Sequence, residues 1–481
     1  MRKLFTALLL LCSVAMLRAQ APTAIMPIPT PAQLEWQKME TYAFIHFGTN
    51  TFTDKEWGYG DAAPSTFNPT RLDCDQWARV LKEAGMKAII ITAKHHDGFC
   101  LWQTKYTDYS VANSPWRDGK GDVVKELAEA CKRHGLKMGV YLSPWDRHQA
   151  TYATPAYVDY YHNQMRELLT QYGDIFEVWL DGANGGDGWY GGASEKRSID
   201  ASTYYRFPEL HKLVYSYFPN AIIFSDYGPG CRWVGNEQGF AGQTNWSMMP
   251  SDGNRSIARS TEELNTGNEN GTMWHPAECD VSIRPGWFWH ESENSKVRDA
   301  RNLLELYYSS VGRNANLLLN VPVNNEGLIS DADIKSLKEF RALLDRQFAV
   351  NLMKKAKAEA SSNRGGKFKA QKAVDGKYDT YWCPSSEDKA PALTINMKKA
   401  TDVNCIQLQE YIALGQRVAE FKIEYFDGSR WQPVSTKEQT TTIGYKRLVR
   451  FDKVNTRQLR VTIIKSRACP CLNNVEAFLV D

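Results

Sequence analysis

The sequence has almost no surplus of charge of either sign. It carries 58 Lys and Arg against 55 Asp and Glu in 481 residues. Three of those cations, Arg2, Lys3 and Arg18, fall in the first nineteen residues, where no acid occurs, so the remainder balances at 55 against 55. A chain without excess cations is a poor match for a phosphate backbone, which argues against nucleic acid as its main partner. Long apolar runs are also missing. The run Leu4–Leu11 is shorter than the roughly 20 residues a membrane span needs, Arg18 follows it, and no later stretch approaches that length, so no membrane span is expected. Neither Cys-x-x-Cys nor His-Glu-x-x-His occurs, which removes the common zinc signatures. The ten cysteines, nine without Cys12, are an odd set spread over a long chain and do not form a disulfide framework. Cys469 and Cys471 are separated only by Pro470, too close for an unstrained bridge to each other, though either could pair with Cys383 or Cys405.

What is present begins with a leader. Arg2 and Lys3 precede the apolar run, small or neutral residues follow to Ala19, and a cut near Ala19–Gln20 is expected. Residues 1–19 therefore read as a signal peptide and the product as exported, periplasmic or secreted. Cys12 lacks the small-residue context of a lipoprotein site, so the product is expected to be soluble. Aromatics are plentiful at 12%, with 15 Trp and 23 Tyr. Such rings stack on flat ligands and on the apolar faces of sugars, besides filling cores.

Two regions follow different patterns. From about 40 to 350, short β-rich runs (Tyr42–Phe47, Ala88–Thr92, Lys137–Leu142, Phe176–Leu180, Ala221–Ser225 and Leu317–Val321) alternate with amphipathic stretches such as Leu72–Ala84, Val123–Arg133, Ala156–Gln171, Thr203–Tyr217 and Arg301–Val311. Gly85, Gly135 and Gly173 stand where left-handed C-caps belong. A strand–helix repeat of roughly 40 residues implies a parallel sheet, and the length suits an α/β fold of the (β/α)8 or TIM-barrel kind over 20–350. Six strands are clear, and two more are expected within the irregular stretch 228–298. An open doubly wound sheet is the alternative, lowered because no Gly-x-Gly-x-x-Gly opens a helix after the early strands. After about 352 short strands with turns such as Asp427-Gly428 predict an all-β sandwich over 351–481.

In a parallel barrel the reacting groups stand at the C-terminal ends of strands. Those ends read His46-Phe47-Gly48, Lys94-His95-His96-Asp97-Gly98-Phe99, Tyr141 through Asp146, Trp179-Leu180-Asp181-Gly182 and Ser225-Asp226-Tyr227. Polar and aromatic side chains gathered at one sheet edge mark a ligand site. Asp181 is the sharpest candidate: it follows an apolar strand and precedes a glycine that leaves room for a ligand. The pair His95 and His96 can face one ligand only if the backbone turns there. Hydrogen bonding to hydroxyls is a simpler reading for them than metal binding. The loop Gly228–Glu237 can bring Glu237 over the pocket with Trp233 beside it, whose apolar ring would raise the proton affinity of that carboxyl. Two carboxyls about 5–5.5 Å apart suit retaining glycoside hydrolysis and about 6.5–9.5 Å suit inversion. These considerations do not choose Glu237 over Glu56, Asp97, Asp146 or Glu291.

Phe44-Ile45-His46-Phe47-Gly48, Glu56-Trp57-Gly58, the His95-His96-Asp97-Gly98-Phe99 block, Trp179-Leu180-Asp181-Gly182 and Asn316-Leu317-Leu318-Leu319-Asn320 together resemble the α-L-fucosidases of glycoside hydrolase family 29 across roughly 40–345. Ala373-Val374-Asp375-Gly376 with Thr380-Tyr381-Trp382 resembles a discoidin-like sandwich, similar to family 32 carbohydrate-binding modules. The first resemblance implies an exo-acting enzyme on fucosylated glycans, with Asp181 as nucleophile forming a covalent fucosyl-enzyme with retention. It implies that His46, Trp57, His95, His96 and Tyr141 bind the hydroxyls and that Phe44 and Trp179 lie near the C5 methyl. Trp233 through Glu237 is similar to the branch acting on α-1,3/1,4-linked fucose of Lewis-type glycans, with Glu237 as acid/base and no cofactor needed for catalysis. The insert Gly185–Ser194, with Trp189 and Tyr190, departs from that pattern next to Asp181. The second resemblance implies a structural calcium at Asp375, Thr380 and Glu476, whose hard oxygens suit that ion. The competing classes are a non-catalytic fucose-binding lectin or adhesin, a glycosidase of other sugar specificity on the same barrel, and a metal-dependent hydrolase. The number of subunits is left open.

Overall fold

The computed structural model describes residues 20–225, 228–253 and 256–481. The leader and the strand-end pair Asp226-Tyr227 lie outside the described residues. The chain divides into two compact units, Pro29–Arg346 and a second in which 20–28 joins Gln347–Asp481. The limits 20–350 and 351–481 therefore shift at both ends. Residues 20–28 form no helix or strand, and their carbonyls and amides bond within the second unit. Ile25 N donates to Leu414 O at 3.0 Å and Arg417 Nη2 to Thr23 O at 2.7 Å. Periodicity carries no trace of such an irregular strap.

In the first unit, eight parallel strands are β1 (Thr41–Ile45), β2 (Ala88–Lys94), β3 (Lys137–Leu142), β4 (Ile175–Trp179), β5 (Ile222–Phe224), β6 (Arg232–Trp233), β7 (Ala277–Ser282) and β8 (Ala315–Asn320). Their order is β5-β4-β3-β2-β1-β8-β7-β6, and a single parallel bridge between Phe224 and Cys231 completes the ring. β6 and β7 are the two strands expected in the irregular stretch. β2 is buried along its whole length, as the continuous Ile89-Ile90-Ile91 run requires of a strand covered on both faces. Helices α1 (Cys74–Glu83), α2 (Val123–His134) and α3 (Ala300–Ser309) each begin on an aspartate that caps a backbone N–H two or three residues into the helix. Gly85, Gly135 and Gly173 all take positive φ, as expected of residues that end a helix. The barrel interior is packed with Tyr42, Phe44, Ile90, Tyr141, Trp179, Phe224 and Leu318.

The second unit is an antiparallel sheet of β9 (Lys357–Ala360), β10 (Ala392–Glu410), β11 (Val418–Phe426), β12 (Trp431–Pro433), β13 (Arg447–Ser466) and β14 (Leu472–Phe478). Its order is β9-β10-β13-β11-β12, with β14 on the far half of β10. The short runs expected at Leu393–Met397 and Ile406–Leu408 are the two ends of β10, and Leu448–Phe451 and Leu459–Ile464 both belong to β13. Register shifts between Asn396 and Thr401 and between Val403 and Cys405 interrupt the alternation that sequence reading relies on. Cys469 comes to Cys383 rather than Cys405, with thiol sulfurs 3.3 Å apart. Among the described residues no helix is long and apolar enough to cross a membrane.

Candidate active site

A cavity of about 250 Å³ opens at the C-terminal ends of the barrel strands, lined by residues from β1, β2, β4, β5, β6 and β7 and their loops. Phe44, His46, Trp57, His95, His96, Trp179, Asp181, Trp233 and Glu237 all reach it. The remaining candidate, Tyr141, is fully buried behind the wall and donates its hydroxyl to Asp181 Oδ2 at 3.1 Å.

Asp181 follows β4. Its Oδ1 accepts the Ala183 amide at 2.7 Å, and its Oδ2 stands 3.8 Å from His96 Nε2. Among the described residues no arginine pairs with it, so the carboxylate is oriented by neutral groups and faces the cavity. Burial raises its pKa, against the opposing pull of the Ala183 amide and the Tyr141 hydroxyl.

The histidines are held as neutral acceptors. His46 Nδ1 bonds Asn320 Oδ1 at 2.8 Å, while Asn320 Nδ2 donates to Ser282 Oγ and to Trp287 O. Because that amide oxygen can only accept, the proton sits on Nδ1 and leaves Nε2 free to accept. His96 Nδ1 meets Ser143 Oγ at 2.8 Å, and Ser143 in turn donates to Trp145 O. Burial lowers the pKa of both His46 and His96 to about 3. Both His95 and His96 face the cavity because β2 ends at Lys94 and the chain turns, with Gly98 N donating to His95 O at 3.0 Å. Their ring centroids are 4.2 Å apart.

Trp179 lies flat on Phe224 at 4.0 Å and donates its indole N–H to the buried Glu278 at 2.8 Å. Trp57 is 53% exposed and stands edge-on to His96 at the rim. Glu237 is exposed, and the indole that meets it belongs to Trp287, not to Trp233: Trp287 Nε1 donates to Glu237 Oε2 at 3.2 Å. A hydrogen-bond donor therefore reaches Glu237 on the cavity that Trp233 also lines. Of the other carboxyls considered, only Glu56 also lines the cavity. It accepts from the Trp287 and Phe288 amides and from His290 Nε2, and so anchors the Trp287 loop. Asp97 is buried against Thr49 with its pKa raised to about 6 by desolvation. Asp146 pairs with Lys94 at 3.1 Å. Glu291 lies on a short exposed 3-10 turn.

Sequence reading missed Asp280, Trp287 and Phe224, all of which line the cavity. Their signal was weak because Asp280 lies on β7 and Trp287 just after it, within the stretch that looked irregular. The insert after Asp181 forms a small hairpin, Gly186–Gly188 with Glu195–Arg197. Trp189 stacks on His148 at 4.8 Å and Tyr190 accepts from Trp145 Nε1, so both aromatics are turned away from the cavity.

In the second unit Asp375 accepts from Thr380 Oγ1 at 2.8 Å and from Lys372 Nζ at 3.1 Å. Glu476 accepts from Gln407 Nε2 and Asn351 Nδ2. These donors are all oxygen, as calcium prefers, but Lys372 already neutralises Asp375, and a divalent ion has to displace it.

Carboxylates, neutral histidines and aromatic walls at the mouth of a parallel barrel define the class of a glycoside hydrolase. Residues 27–347 match the α-L-fucosidase family, and residues 357–474 match the F5/8 type C domain. The chain belongs to the α-L-fucosidase family. It is similar to α-L-fucosidase 1 of Arabidopsis thaliana, 45% identical over 95% of this chain and 88% of that protein. It also resembles the crystal structure of a Bacteroides thetaiotaomicron protein assigned as an α-L-fucosidase, with TM-score 0.88, 38% identity and coverage of 96% and 99% of the two chains. A family 29 fucosidase of Ruminococcus gnavus in complex with fucose gives TM-score 0.87 at 32% identity over 96% and 97%.

Proposed function

We propose that the protein is an exo-acting, retaining enzyme that releases α-1,3- and α-1,4-linked fucose from Lewis-type oligosaccharides or glycoconjugates. The observation that carries this reading is Asp181, a cavity-facing carboxylate held by Tyr141 and a backbone amide, with the carboxyl of Glu237 on the same cavity. In the first step an Asp181 oxygen attacks the anomeric carbon while Glu237 gives its proton to the departing glycosidic oxygen. In the second, Glu237 takes a proton from water, the water oxygen attacks the same carbon, and the bond to Asp181 breaks. Fucose is a 6-deoxy sugar with three free ring hydroxyls and one methyl. Neutral His46 and His96 supply acceptors for the hydroxyls, and Phe44, Trp179 and Trp287 supply the apolar wall for the methyl. A hydroxymethyl in that place leaves its oxygen unpaired, so galactose-type sugars are disfavoured. The Ruminococcus gnavus relative, whose solved structure holds fucose, supports fucose as the sugar bound here. The linkage preference rests on the resemblance of Trp233–Glu237 to the α-1,3/1,4-preferring branch.

The charged and apolar pattern of residues 1–19 supports an exported enzyme, periplasmic or secreted, where fucosylated glycans are met. Catalysis uses protein groups alone. The C-terminal unit tethers glycan and holds a calcium ion at Asp375, Thr380 and Glu476. If it does, calcium raises the melting temperature of the intact protein and a chelator reverses the rise; no shift removes calcium from the account. The main test is fucose release from α-1,2-, α-1,3- and α-1,4-linked oligosaccharides and an aryl fucoside. Release from the 1,3 and 1,4 linkages well above 1,2 is expected. Preference for 1,2 overturns the linkage, release of another sugar overturns the specificity, and binding without release makes the protein a lectin.

A further inference from the structure

Alternate residues of a strand share a face, and β7 turns Glu278, Asp280 and Ser282 toward the barrel interior. The outer two are fully engaged. Glu278 accepts from the Tyr42 hydroxyl and the Trp179 indole. Ser282 donates to Gly286 O at 2.7 Å and accepts from Asn320 Nδ2 at 2.9 Å. Asp280 between them is 3% exposed, lines the cavity, and its buried Oδ1 has no hydrogen-bond partner. An unpaired buried carboxyl oxygen destabilises a fold, so a bound ligand that supplies the partner is strongly favoured there. His95 Nδ1, on the same cavity, is a second buried polar atom without a partner. Asp280 is buried whereas Glu237 is exposed.

We propose that Asp280 binds substrate directly, its Oδ1 hydrogen-bonding a ring hydroxyl of the fucosyl unit. The assignment rests on the fucosidase reading above. It makes Asp280 a third functional carboxyl, distinct in role from Asp181 and Glu237. Burial, with the carboxyls of Glu237 and Glu278 close by, keeps its proton bound far above the usual carboxylate range. In that neutral state it donates a hydrogen bond as an amide does, which an ionised carboxylate cannot.

The test compares the intact wild-type protein with Asp280→Asn and Asp280→Ala. Fucose binding is measured by calorimetry, KM on an aryl α-L-fucoside by kinetics, and Tm without ligand. Asp280→Ala is expected to weaken fucose binding by about 10-fold or more, and Asp280→Asn to stay within about 3-fold of wild type. Asp280→Ala should melt at or above the wild-type temperature, since it removes the buried oxygen that lacks a partner, and Asp280→Asn, which keeps a polar atom there, should melt close to wild type. Wild-type affinity in Asp280→Ala overturns the proposal. Equal loss of affinity in both variants with lowered Tm also overturns it, since that is the signature of a structural residue. Binding is read independently of turnover. A wild type that binds fucose but releases none contradicts the fucosidase reading and leaves this comparison intact.

Discussion

Asp181 and Glu237, proposed above as nucleophile and acid/base, stand in opposite surroundings. Asp181 is positioned by Tyr141, the Ala183 amide and the nearby neutral His96, none of which cancels its charge. Glu237 sits on an exposed loop within reach of the Trp287 indole N–H, where a leaving group and water can both approach. Replacing Glu237 by Ala should cost on the order of 10²–10⁴ in kcat/KM on natural linkages, whose leaving oxygen needs a proton. The same variant should keep activity within about 10-fold on aryl fucosides with good leaving groups. Steady-state kinetics on both substrate types checks this, and equal loss on both removes Glu237 from the acid role. His46 shows how far such details were legible. The Asn316–Asn320 motif stood out in the sequence, but the fixing of the His46 tautomer by Asn320 depends on β1 and β8 being neighbours.

At the level of elements, β2 and β3 were readable because strands covered on both faces are continuous apolar runs. β7 was not, since Glu278 and Asp280 interrupt its apolar residues, and those inward polar groups belong to the barrel floor and the cavity. β6 is two residues long and exists by pairing with β7, a non-local partner that no local pattern announces. The seam between β5 and β6 places a strict demand on Gly230. A Cβ there meets Ile223 N at 2.4 Å and Ile223 O at 2.6 Å, both backbone atoms. Gly230→Ala should therefore pry the seam open, lowering barrel stability by about 1–3 kcal/mol and fucosidase activity with it. Thermal melting beside kinetics measures both. An unchanged Tm shows that the seam tolerates the side chain.

At the scale of the whole molecule, all nine histidines lie in the barrel unit and none in the second. Between pH 5 and 8 the second unit is therefore governed by its buried carboxyls. Glu410 accepts from the Arg417, Val418 and Gly444 amides, yet burial raises its pKa to about 7. The fold thus favours the protonated form. The stability it contributes is present below the unfolded value of 4.5 and is lost as pH rises through about 7. Glu476 shifts in the same direction, again by burial. Calorimetry of the intact chain should show the second unit's transition falling in temperature from pH 5 to 8, at up to about 1.4 kcal/mol per pH unit per group. Glu410→Gln should flatten that slope. A transition that instead rises over this range assigns the wrong direction to Glu410.

The most direct measurement of the catalytic account is covalent trapping. A 2-deoxy-2-fluorofucosyl fluoride forms the glycosyl-enzyme readily and releases it slowly, so the intermediate accumulates for proteolysis and peptide mass spectrometry. The expected result is one fluorofucosyl group per chain, on the Asp181 carboxylate. Label on another residue, or rapid turnover of fucosides by a protein that is never labelled, contradicts it.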